Sequence, residues 1–88
     1  MKNKLLKIIN HYGIENQLRK FNEENFELIE AIINTDKFST YINNIEEEIA
    51  DNLVLLSQFI LYFDIDLDEI EKIFNKKVNR QIERIKNE

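Results

Sequence analysis

Residues Glu46-Glu47-Glu48-Ile49-Ala50-Asp51-Asn52-Leu53-Val54-Leu55-Leu56 pass from an acidic run into an apolar one that continues to Phe63. Read as a helix, the stretch sets Glu48 and Asp51 three residues apart on one face. Leu53, Val54, Leu55 and Leu56 cannot all lie on one stripe, so the segment reads as buried on nearly every side. Upstream, Glu24 and Glu27 repeat the three-residue spacing on another helical stretch. Two carboxylate pairs on two helices make a candidate divalent-metal site.

Length and composition limit what surrounds that site. At 88 residues the chain reads as a single domain, residues 1–88, without room for a second core. A chain of this size buries only about 60–65 % of the surface of its unfolded form, so its stability margin is narrow unless it oligomerises. The absence of cysteine excludes disulfides and thiolate metal sites, leaving oxygen-ligand sites for hard cations. A net charge of −5 argues against a nucleic-acid polymer as partner. A nucleotide remains compatible, because a bound metal ion inverts the local field. The opening Met1-Lys2-Asn3-Lys4-Leu5-Leu6-Lys7-Ile8-Ile9 is broken by Lys7 and lacks a small-residue cleavage site, so it does not read as a signal peptide. The apolar run from Leu53 to Phe63 is too short for a bilayer. The expectation is a cytoplasmic protein.

Periodicity predicts four helices. Lys2 to about Tyr12 has Leu5, Ile8, Ile9 and Tyr12 on one side, and Gly13 is its natural stop. About Ile14 to Asn34 carries Ile14, Leu18, Phe21, Leu28 and Ile32. Residues 34–37 read as a turn, with Ser39 or Thr40 as a cap. About Thr40 to Phe63 has the spine Ile42, Ile45, Ile49, Leu53, Leu56, Ile60 and Phe63, with a second stripe of Leu55, Phe59 and Tyr62. Two apolar faces on one helix exceed what a small domain can cover and signal a dimer. Asp66 caps a last helix, about Leu67 to Lys86, with Glu69 at the capping-box position. The run Asp64-Ile65-Asp66-Leu67-Asp68 lacks the glycine and later glutamate of an EF-hand. His11, the lone histidine, sits beside a glycine and reads as a helix-end residue.

Magnesium takes oxygen ligands in near-octahedral geometry, commonly a few carboxylates with waters and phosphates. Glu24/Glu27 facing Glu48/Asp51 would suit it. Lys77 and Arg80, three apart on the last helix, could meet phosphate oxygens. The plainer account is strong, however. In a chain that is 33 % charged, such acid pairs are common and usually solvated, as expected of Glu23, Glu30, Glu46 and Glu47. Cations toward a helix C-terminus are explained by its dipole. Spacing alone favours the solvated face.

Three longer blocks alter that balance. Gly13 to Ile32 contains G-x-x-x-Q-x-x-K-x-x-E-E-x-x-E-L-x-x-A-I; Glu47 to Asp51 reads E-E-x-A-D before apolar residues; Lys77 to Ile85 reads K-x-N-R-x-x-x-R-I. In this order they resemble MazG-type nucleoside triphosphate pyrophosphohydrolases, over about Tyr12 to Ile85. The resemblance implies an all-α fold related to the dimeric dUTPases, here a four-helix bundle completed by oligomerisation as a dimer or tetramer. It implies magnesium, or manganese as a substitute, held by Glu24, Glu27, Glu48 and Asp51, which also form the catalytic set. Lys77 and Arg80 would contact phosphate, and Lys20 falls on the lysine of the first block. The implied reaction is attack of a metal-activated water on the α-phosphorus, giving a nucleoside monophosphate and pyrophosphate. Asn52 departs from the pattern, standing where an apolar residue is common after the aspartate. The rival expectation is a non-catalytic helical module that binds a nucleotide or protein.

Overall fold

The computed structural model describes residues 1–34 and 42–88, with side chains from 44 onward in the second stretch. It is all-α, with four helices in the order α1 (Lys2–Tyr12), α2 (Ile14–Ile33), α3 (Ile42–Tyr62) and α4 (Leu67–Lys86). These match the expected spans to within two residues. The turn and cap expected over residues 35–40 lie outside the described residues.

Gly13 ends α1 and opens α2 within a single residue. Its φ of 87° and ψ of 151° belong to a region that essentially only glycine enters. Its N–H donates to the Ile9 carbonyl at 2.8 Å, and its carbonyl accepts from Gln17 N–H at 3.1 Å. The sharp turn folds α1 back so that α1 and α2 both pack on α3. α3 ends at a left-handed residue, Asp64 (φ 52°). Ile65 N–H then reaches the Ile60 carbonyl at 2.9 Å, and Asp64 N–H the Leu61 carbonyl at 3.2 Å, which closes the open carbonyls of the last turn. Asp66 caps α4 as expected, accepting from Asp68 N–H at 2.9 Å. Glu69 pairs with Lys72 at 3.6 Å.

One expectation needs correction. α3 is not buried on nearly every side: Ile49, Leu53, Val54 and Leu56 are all exposed. Its inward stripe is Ile45, Glu48, Asn52, Leu55 and Phe59, with Gln58 beside it. The expected spine was drawn through the most apolar positions, whereas this helix turns polar residues inward. α4 stands largely apart from the other three helices in the single chain. All of its residues are exposed, including Ile73, Phe74, Val78 and Ile82. Its start meets the rest where Leu67 lines a groove with Leu5, Ile60 and Leu61.

The interior formed by α1, α2 and α3 is unusual for its polarity. Ile9 and Leu55 are its buried hydrophobic residues, while Gln17, Glu24, Asn52 and Gln58 are buried as well. Phe21 meets Phe59 edge-on with centroids 5.4 Å apart, adding apolar contact between α2 and α3. Burying polar side chains is unfavourable unless each finds a partner, so this interior is organised around something other than apolar packing.

Candidate metal centre

α2 and α3 face each other with their carboxylates at the same level. Glu24, Glu27 and Glu48 each place one carboxylate oxygen within 4.8 Å of the others. Glu24 and Glu27 share a face of α2 through their spacing, and Glu48 reaches them from the inward stripe of α3. Glu24 is buried, with 8 % of its surface exposed. Glu48 is half-buried and Glu27 exposed, so the cluster opens to solvent along one side.

The polar atoms here lack donors. Glu24 Oε2, Glu48 Oε2 and Asn52 Oδ1 are buried without a hydrogen-bond partner. Ionised carboxylates and an amide oxygen are acceptors only, so their shared deficit calls for a positive or donating group. Lys20 pairs with the other Glu24 oxygen, its Nζ lying 3.6 Å from Oε1, and leaves these three atoms unmet. Burial raises the Glu48 carboxyl above the ordinary carboxylate range. The negative charges of Glu27 and Glu24, the closeness of the Glu24 side chain as a hydrogen-bonding neighbour, and the charge of Asp51 push it the same way.

The donor set suits a hard divalent cation. Oxygens on opposite sides of an octahedral magnesium stand about 4.2 Å apart and neighbouring ones about 3 Å, close to the separation already present. The residues therefore fit such an ion with little movement.

Asp51 is outside this three-oxygen group. It is exposed and lies on the wall of an adjoining cavity of about 430 Å³ with Lys20, Glu24, Gln17 and Gln58. The structure thus brings Glu24, Glu27 and Glu48 together, with Lys20 and Asp51 beside them. Lys77 and Arg80 are elsewhere: they sit on the exposed α4 and do not line this cavity.

Three residues of the site were not among those expected from sequence. Gln17 Nε2 donates to Gln58 Oε1 at 2.8 Å, a buried link between α2 and α3 at the cavity wall, and Gln58 is only 1 % exposed. Asn52 is buried directly beneath the acids' backbone. Of the three, Gln58 interrupts the apolar run from Leu53 to Phe63 and Asn52 stands at its edge, whereas Gln17 follows the polar Glu15 and Asn16. An isolated amide in a helix is ordinarily a surface residue.

Comparison with curated proteins and with solved structures returned no match. The sequence pattern of the MazG nucleotide pyrophosphohydrolase domain matches residues 13–85, which takes in all three helices that carry the acidic and basic positions. The turn at Gly13, the acids on α2 and α3 and the closing basic segment all fall inside that match, and the chain accordingly belongs to the MazG nucleotide pyrophosphohydrolase family.

Proposed function

We propose that the protein is a magnesium-dependent nucleotide pyrophosphohydrolase, converting a nucleoside or deoxynucleoside triphosphate to its monophosphate and pyrophosphate. The observation that carries this is the group of Glu24, Glu27 and Glu48 carboxylates, two of which hold a buried oxygen without a donor, inside a MazG domain. Asp51, one turn beyond Glu48, completes the acidic set at the cavity wall. A divalent cation held there would offset the charge on the triphosphate and acidify water, and manganese would serve as well as magnesium.

The chain's own groups supply the rest. Glu48, whose carboxyl is more basic than an ordinary one, gives up its proton on metal loading. Lys20 lies at the junction of the acids and the adjoining cavity, within reach of a phosphate entering between them. Water oxygen bonds to the α-phosphorus, the bridging oxygen to the β-phosphorus leaves with pyrophosphate, and the water's protons pass to solvent or a carboxylate.

The same proposal includes a homo-oligomer, a dimer or tetramer. α4 carries six Lys or Arg against four Asp or Glu, on a chain whose net charge is −5. A second copy offers it both an apolar and an acidic surface. Lys77 and Arg80 would reach phosphate within that assembly.

Pyrophosphate release from a panel of canonical and modified nucleoside triphosphates, with magnesium and with chelator, tests the reading. Magnesium-dependent release from some members is expected. Silence across the panel from folded, metal-replete protein would overturn it in favour of a non-catalytic binding module.

A further inference from the structure

We propose that Asn52 is a positioning residue for the cation, an amide that holds the Glu24 and Glu48 backbones at the separation their carboxylates need. The inference rests on the metal-site reading above. Asn52 Nδ2 donates to the Glu24 carbonyl at 3.1 Å and to the Glu48 carbonyl at 2.7 Å. The residue is 6 % exposed. The reverse amide orientation would set Oδ1 against both carbonyl oxygens, so the hydrogen-bonding pattern fixes which end is the donor.

The two bonds have different reach. The one to Glu48 stays inside α3, one turn back. The one to Glu24 crosses to α2. One NH2 group therefore grips the main chain of two residues whose side chains converge on the same point. Their carboxylates repel one another without a cation, and the cross-helix bond opposes separation of α2 and α3 at that level. A site held at its bound spacing binds its ion more tightly, because the ion need not first draw the ligands together.

Stability alone does not account for the amide. Its Oδ1 is buried without a donor, and a leucine of similar length would remove that orphan acceptor. Replacing a partly satisfied polar group by an apolar one of like shape is often neutral or stabilising.

The test is calorimetric titration of Mn2+ into the full chain without nucleotide, comparing wild type with N52L and N52S, alongside metal-free melting. Serine keeps a donor able to reach the Glu48 carbonyl within α3, but is too short for Glu24. The expected result is an N52L protein that melts no lower than wild type yet binds Mn2+ about 10-fold or more weakly, in the range of second-layer metal partners. N52S should be weakened similarly. Wild-type Mn2+ affinity in N52L would overturn the positioning role while leaving the metal site standing. Wild-type affinity in N52S would overturn the cross-helix bond as its basis. Absence of Mn2+ binding by the wild-type protein would overturn the metal reading, and this inference with it.

Discussion

Glu48 is where the chemistry of the site is most exposed to test. Its carboxyl is held above the ordinary value of 4.5, by burial first and by Glu27 and Glu24 next. A raised acid binds its proton more tightly folded than unfolded. Its contribution to stability is thus complete below the unfolded value and is lost as pH rises through the folded one. Metal-free wild-type protein should lose melting temperature across that window, and E48Q should lack this component when the two profiles are subtracted. Metal affinity should change in the opposite direction, increasing with pH as the proton leaves. In assays, E48Q should lower turnover by about 100-fold or more, since even partners behind the ligands are worth 10- to 100-fold in many metal sites. An E48Q enzyme with normal turnover would remove Glu48 from the site. Glu24, Glu27 and Glu48 were singled out in the sequence by the blocks that resemble the family, because three-residue acid spacing alone favours a solvated face. Gln17, Asn52 and Gln58 were not, because nothing local distinguishes a buried amide from a solvated one until the facing helix is placed.

At the level of elements, sequence reading succeeded where one residue dictates the backbone. Gly13 could be read as a break because few other residues tolerate its conformation, and Asp66 because a short acceptor before an acidic first turn caps a helix. It failed on the orientation of α3. Apolar residues are distributed around that helix, so hydrophobic periodicity alone could not choose its inward face, and the polar stripe of Glu48, Asn52 and Gln58 is the one that turns inside. α4 shows the complementary case. Its apolar stripe was correctly read, but a stripe does not say whether its partner lies in the same chain. Phe74 is 64 % exposed in the middle of that stripe. F74E should convert the expected oligomer to a 10.6 kDa monomer by sedimentation and lower pyrophosphate release, while the helical circular dichroism signal is largely kept. An F74E protein with unchanged mass in solution would remove α4 from the interface.

The whole molecule carries the same message in its surface. Folded monomers of this mass expose about 5,500 Å², whereas this chain exposes 7578 Å². Its radius of gyration is 16.2 Å, against about 12 Å for a compact chain of this length. The difference, about 2,000 Å² per chain, exceeds the roughly 800 Å² that each partner gives to a standard interface. The exposed apolar residues of α4, Ile73, Phe74, Val78 and Ile82, and of α3, Ile49, Leu53 and Leu56, are the surface that the proposed second copy would cover. An interior that is polar and a surface that is apolar make sense together if the interior is the reaction site and the core is completed between copies. Among the described residues no helix is long and apolar enough to cross a membrane.

The central claim is that acids on α2 and α3 hold a metal that directs water to the α-phosphorus of a nucleotide. Hydrolysis of a responsive nucleoside triphosphate in 18O-labelled water, followed by 31P NMR, tests it most directly. The account predicts one labelled oxygen in the nucleoside monophosphate, unlabelled pyrophosphate, and no turnover once the metal is chelated. Label in the pyrophosphate, release of orthophosphate in its place, or turnover undiminished by chelator would contradict it.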